Sequence, residues 1–180
     1  MKQNYILIFI FILLFLSCRK NKNCFSFTKD NKNVSVLLNR QSDSLYLLEL
    51  YLEDSLRSVW KLKYPVYNFD YGDVNGDGTP EIAVGPVKKT RFDQKMDKRL
   101  FLFRIMDDLY IRPLWLGSRV GQPLIDFRLR GEPAMIRTIE LEQDGTYLVA
   151  EYRYKGFGLE FSEYIRRGIE LEEAREILIK

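Results

Sequence analysis

Between Asp73 and Gly85 the chain reads DVNGDGTPEIAVG. Side-chain oxygens fall at the first, third and fifth positions of this stretch, from Asp73, Asn75 and Asp77, and the carboxylate of Glu81 falls at the ninth. Gly78 stands at the sixth position, where a sharp turn is needed, and the main-chain carbonyl of Thr79 is at the seventh. A ring of oxygens with this spacing is what a hard cation such as calcium takes as ligands. Asp73, Asp77 and Glu81 crowd three carboxylates into nine residues, and like charges held that close repel unless a cation or solvent separates them. The competing reading is a turn rich in turn-forming residues, with its acids solvated. Position twelve is Val84 rather than a bidentate Glu, which excludes the helix-loop-helix version of such a loop.

A loop of this kind needs rigid elements on both sides. Behind it, 66–69 reads as a strand. Ahead of it, Ile82, Ala83 and Val84 form a short apolar strand that stops at Gly85 and Pro86. Elsewhere, from residue 33 onward, short apolar segments are cut by turns at the spacing of an all-β domain. Strands are expected at 34–38, 45–52, 57–63, 100–106, 109–115, 124–129, 134–142, 146–154 and 159–166. Asp144 and Gly145 suit a tight hairpin turn. At the C-terminus, 171–178 reads as a short helix with Ala174, Ile177 and Leu178 as its buried stripe. The strands fall into groups beginning near Val34, Val66 and Leu124. The expected fold is all-β, with antiparallel sheets arranged as propeller-like partial blades or as a β-sandwich, plus the short C-terminal helix. About three blades do not close a ring, because propellers typically need at least four.

The loop DVNGDGTPE and the strand IAVG after it resemble the FG-GAP or VCBS-type loops of integrin α-chains and many bacterial surface proteins, where DxNGDGxxD precedes an apolar strand and a Gly. The resemblance covers about sixteen residues of the chain. It implies a structural calcium held by Asp73, Asn75, Asp77, Thr79 and Glu81, with Glu81 standing where the family usually has Asp. Nothing in the sequence points to an open coordination position beside a substrate group, as a catalytic metal needs.

At the N-terminus, Lys2 precedes an unbroken apolar run of twelve residues, Tyr5 to Leu16. Twelve are too few to span a bilayer as a helix and suit the core of a secretion signal. The run ends in LFLSC, a small residue directly before Cys18. This resembles the lipobox of bacterial lipoproteins, with Phe15 where the family most often has Leu. The resemblance implies cleavage before Cys18 and a diacylglycerol on its thiol, so the chain is read as a signal peptide over 1–17, a lipidated Cys18 with a flexible tether over 18–32, and a β-rich domain over 33–180. Residues 19–32 are rich in Lys and Asn, as a solvated spacer is. Cys24 is then a free thiol, a cysteine that pairs between molecules, or an incidental residue of the tether.

Composition removes several functions. Histidine is absent, which takes away the commonest general base, the usual zinc ligand and the usual physiological pH switch. The 28 basic and 25 acidic residues nearly balance, which argues against a nucleic-acid binder. Three constellations remain. The stretch 87–99 is basic, with Lys88, Lys89, Arg91, Lys95, Lys98 and Arg99 against Asp93 and Asp97, and reads as a long exposed loop; an acidic polysaccharide, a lipid headgroup or a partner's acidic face would suit it. Arg112, Trp115, Arg119 and Gln122 lie close in sequence and are either a sugar-binding shelf or a core tryptophan with polar neighbours. Glu140, Glu151, Glu160 and Glu163 all fall on expected strands, and nothing selects a pair for glycoside hydrolysis. The expectation is a non-enzymatic, lipid-anchored protein of a Gram-negative cell envelope. It carries one structural calcium and serves binding or assembly, with an envelope protein or polysaccharide as partner. The alternative is a carbohydrate-handling accessory protein or weak glycoside hydrolase.

Overall fold

The computed structural model describes residues 23–117 and 120–180. Three antiparallel sheets follow one another along the chain. The first is built from β1 (Cys24–Lys29), β2 (Lys32–Ser42), β3 (Leu45–Leu52) and β4 (Ser55–Leu62), in that spatial order. The second has the order β5 (Val66–Gly72), β6 (Glu81–Lys88), β8 (Phe101–Ile105) and β9 (Ile111–Leu116), with the two-residue β7 (Asp97–Lys98) pairing with β6. The third runs β10 (Leu124–Arg130), β11 (Met135–Leu141), β12 (Tyr147–Lys155) and β13 (Gly158–Ile169). A single helix, α1 (Leu171–Ile179), ends the chain.

The sheets stack face to face like blades and do not close. Alternation of side chains decides which face meets which neighbour. Ile82 and Val84 of β6, with Phe101, Phe103 and Ile105 of β8, pack on Val34, Val36, Leu48, Leu50 and Leu62 of the first sheet. Ala83 and Leu102, on the opposite face of the same strands, pack on Phe127, Leu129, Ile136, Leu148 and Ala150 of the third. A sheet covered on both sides needs continuously apolar strands, which is why β6 is buried without a break from Glu81 to Pro86. The far face of the third sheet puts Ile139 and Val149 against Ala174 and Leu178 of α1. On the far face of the first sheet Glu49 accepts hydrogen bonds from Asn39 Nδ2 at 3.4 Å and from the Tyr51 hydroxyl at 3.1 Å, with the exposed Val59 opposite it on β4.

Strands of equal rank meet. The first strands β5 and β10 touch, as do the last strands β4 and β9. Asn68 of β5 donates to Asp126 Oδ1 at 2.6 Å and to the Phe127 carbonyl at 2.8 Å, and Asp70 Oδ2 accepts the Leu129 N–H at 2.9 Å. At the other edge, Ser58 Oγ accepts the Ile111 N–H at 3.1 Å.

The structure corrects two expectations. The stretch read as a tether contains β1, whose Phe25 is buried and whose register runs antiparallel to β2 from Cys24↔Leu37 to Lys29↔Lys32. The alternation of Phe25 and Phe27 carries this strand through a Lys- and Asn-rich neighbourhood, and apolar burial wins over local composition. Cys24 is disulfide-bonded, so it is not a free thiol. Cys18, the rest of the expected signal segment and Arg119 lie outside the described residues. Among the described residues no helix is long and apolar enough to cross a membrane.

Candidate metal centre

The loop 73–80 leaves β5 at Gly72 and returns as β6 at Glu81, two positions that face each other in register. Val74 is its anchor, buried in the core between the second and third sheets. The Asp73 carbonyl accepts the Ala134 N–H at 2.6 Å, tying the loop to the β10–β11 turn. Gly76 and Gly78 have φ of +80° and +84°, a conformation that costs a side-chain-bearing residue about 1 kcal/mol or more. Gly85 has a different reason to lack a side chain, since a Cβ there would meet the Tyr67 ring at 2.7 Å.

Of the ligand-type side chains named from the sequence, Asn75, Asp77 and Glu81 are linked to one another, while Asp73 turns to the main-chain amides of the loop. Asp73 Oδ1 accepts the Gly76 N–H at 2.7 Å and its Oδ2 accepts the Gly78 N–H at 2.7 Å. Asn75 Oδ1 accepts the Asp77 N–H and Asp77 Oδ1 accepts the Thr79 N–H, each at 2.8 Å. Glu81 is 2% exposed. Its Oε2 accepts the Val74 N–H at 3.0 Å, and its Oε1 accepts from Asn75 Nδ2 at 2.8 Å. The same Nδ2 donates to Asp77 Oδ2 at 2.9 Å, so an amide N–H₂ stands between two carboxylates.

Burial pushes the Glu81 carboxyl up to about 7, and the charges of Asp77 and Asp73 add to the effect against the pull of the Val74 N–H. A carboxylate so placed gains from a nearby positive charge. By donor chemistry the set fits a hard divalent cation: carboxylate oxygens, an amide and a main-chain carbonyl on a glycine-shaped loop. In arrangement, Asn75 Nδ2 holds the place between Asp77 and Glu81. Among the described residues no group of three or more His, Cys, Asp or Glu side chains is disposed to hold a metal. A cleft of about 600 Å³ opens beside the loop, bounded by Tyr71, Pro80 and the turn Gly131, Glu132 and Pro133.

Of the second constellation, Arg119 lies outside the described residues, and the other three are placed as follows. Trp115 is half-buried against the core between the second and third sheets, with its ring over Gly117, where a Cβ would lie 1.9 Å from it. Arg112 is exposed and stands opposite Arg104 in register. Gln122 uses its main-chain N–H, which donates to Glu140 Oε2 at 2.6 Å. The four strand glutamates are also divided. Glu140 faces the second sheet, fully buried, where the hydroxyls of Thr138 and Tyr152 donate to its Oε1 at 2.7 and 2.8 Å. Glu151 faces the helix on the other side of the sheet and pairs with Arg137 at 2.8 Å. Glu160 pairs with Lys155 on the surface, and Glu163 stands opposite Glu151 on β13.

Sequence reading missed two buried polar hubs. Glu140 fastens the segment after Gly117 by taking the Gln122 N–H, while Tyr152 takes the Gly121 N–H at 3.0 Å. Arg99 is 2% exposed although its stretch reads as an open basic loop. Its guanidinium donates to Asp93 Oδ2 at 2.8 Å, to the Lys95 carbonyl at 2.7 Å and to the Lys88 carbonyl at 3.2 Å. Glu140 alternates in step with the apolar Ile136 and Leu148 face, which was the available signal. For Arg99 the signal was its place beside Leu100 at the entrance to an apolar strand.

No protein-family model matches the chain, and no curated protein matches it.

Proposed function

We propose that this chain is a non-enzymatic, lipid-anchored protein of a Gram-negative cell envelope, in which a structural calcium stiffens a stack of sheets used for binding or assembly. Asp73, Asn75, Asp77, the Thr79 carbonyl and Glu81 would hold the ion. The observation that carries the reading is the deeply buried Glu81 carboxyl, pushed up to about 7 inside a loop otherwise lined with oxygen ligands. A bound divalent cation supplies the positive charge that lets such a group ionise without leaving its place. The chain's own residues do the rest. Val74 seats the loop in the core, Gly76 and Gly78 allow its turns, and the Asp73 carbonyl joins the second sheet to the third.

Thermal melts in excess calcium and in chelator test the ion. Binding to the folded chain alone raises stability by about 2.7 kcal/mol at a hundred times Kd, so a rise of several degrees is expected. Superposable melts would sink the calcium reading. The anchor is tested at Cys18. The chain has two cysteines, and a sulfur that carries a lipid thioether is not available for a disulfide. A lipidated Cys18 and an intrachain pair with Cys24 therefore exclude each other, so in the anchored protein the disulfide of Cys24 would join two copies of the chain. The intact mass of membrane-extracted protein is expected to show cleavage before Cys18 and added lipid. An unlipidated mass that rises by two hydrogens on reduction would overturn the anchor.

A further inference from the structure

The segment 89–96, between β6 and β7, is a preformed projection with basic and apolar groups turned outward and acidic groups turned in. The Thr90 N–H donates to the Asp93 carbonyl at 2.9 Å and Gln94 Nε2 donates to the Thr90 carbonyl at 2.9 Å, closing a short loop on itself. Arg99 clamps this loop from beneath through Asp93 and the Lys88 and Lys95 carbonyls. Phe92, at 84% exposure, and Met96, at 59%, stand in solvent. Lys89, Arg91 and Lys95 are exposed around them, and the Arg91 guanidinium lies 5.5 Å from the Phe92 ring. Asp93 and Asp97 are half-buried, the first engaged with Arg99 and the second 3.3 Å from Lys95 Nζ. Lys98 points inward, donating to the Ile125 carbonyl at 2.7 Å, and so does not belong to the outer surface.

The position of this projection names its partner. Val87 and Lys88 close the end of the stack at which Val66 begins β5, with the Val87 N–H donating to the Pro65 carbonyl at 2.9 Å. Asn23 opens onto the same end: its carbonyl accepts the Leu38 N–H at 2.8 Å, and it lines one cleft together with Leu38 and Val66. Twenty-two further residues, including the apolar run and Arg19, Lys20 and Lys22, precede Asn23. Exposed Lys61, near the end of β4, and Lys63, on the link from β4 to β5, also lie at this end. The loop 73–80 and the turn at Asp107 and Asp108 are at the opposite end, because β5 and β8 both run away from Val66 and Pro86. The projection thus stands at the end of the stack where the described chain begins, beside the exposed Lys63, and the calcium-type loop stands at the other end.

We infer that the 89–96 projection docks on an anionic lipid surface, with Phe92 and Met96 entering the headgroup boundary and Lys89, Arg91 and Lys95 on the phosphates. Aromatic side chains favour the membrane interface, and each basic residue near an anionic surface strengthens binding about five-fold. Docking holds the stack upright on the bilayer, with the calcium-type loop facing away. The inference deepens the envelope reading and rests on it only for the membrane being the one that holds the N-terminus.

The test uses the full chain with Phe92→Trp on vesicles of phosphatidylcholine alone and of phosphatidylcholine with phosphatidylglycerol, both containing brominated lipid. Against the parent chain as background, the added tryptophan is expected to be quenched and blue-shifted on the anionic vesicles. Lys89→Gln, Arg91→Gln and Lys95→Gln together are expected to reduce this response about a hundred-fold in apparent affinity. Because all three side chains are exposed, an unchanged melt confirms that the variant folds. A tryptophan that stays in water on anionic vesicles overturns the inference, as does protection of the loop by a soluble acidic polysaccharide with no quenching by lipid. Failure of the anchor is read separately: Cys18→Ala protein that no longer pellets with membranes before lipid is added, yet is still quenched on anionic vesicles, keeps the docking loop. Anchored protein with an unquenched tryptophan keeps the anchor and loses the loop.

Discussion

Burial keeps the Glu81 carboxyl titrating at about 7, far above the ordinary glutamate value near 4.5. The folded chain therefore holds this proton more tightly than the unfolded chain between those two values. Stability contributed at this residue is largest at low pH and falls as pH rises towards 7, by at most about 3 kcal/mol. In chelator, the melting temperature is expected to be higher at pH 5 than at pH 7.5. Calcium, which needs the ionised carboxylate, is expected to stabilise more at pH 7.5 than at pH 5. Glu81→Gln should abolish both responses and raise the chelator melt at pH 7.5; a variant with the parent's pH profile would show that Glu81 is not the titrating group. The ligand-type residues and the glycines of this loop were legible because their spacing is local. Glu81's burial was not, since it depends on Val74 and on a third sheet whose contacting residues lie more than forty positions away.

At the scale of elements, the strands were read well where apolar alternation is strict, as in β3, expected over 45–52 and found at Leu45–Leu52. The helix was equally clear, with Ala174 and Leu178 buried and Ile177 packed against the same cluster. What was hidden is where a polar residue closes a loop by the path of its backbone. Arg99 gathers acceptors from Lys88, Asp93 and Lys95, and no periodicity in sequence announces that a guanidinium will be the plug. Arg99→Ala is expected to cost about 3 kcal/mol, because it leaves Asp93 and two carbonyls without the shared donor. Arg99→Lys is expected to recover only part of this, since an ammonium lacks the planar fork that reaches all three. Urea midpoints at constant slope measure both, and an Arg99→Ala midpoint equal to the parent's would show the clamp to be idle.

At the scale of the molecule, the buried clusters join the first sheet to the second and the second to the third, so the middle sheet has a sheet on each face while the third has a sheet on one face and α1 on the other. Amides of β6 and β8 are expected to exchange slowest with solvent and those of β1 and α1 fastest, as followed by hydrogen-exchange mass spectrometry. Uniform protection from β1 to α1 would instead mean that the whole stack opens at once. This arrangement has the logic of a short solenoid. Such an array invites a further repeat wherever an apolar face is left bare, and copies of the chain would then add end to end into filaments. Here, among the described residues, one outer face of the array is covered by a helix lying on Ile139 and Val149. A sheet added on that side would first have to displace the helix from Ile139 and Val149.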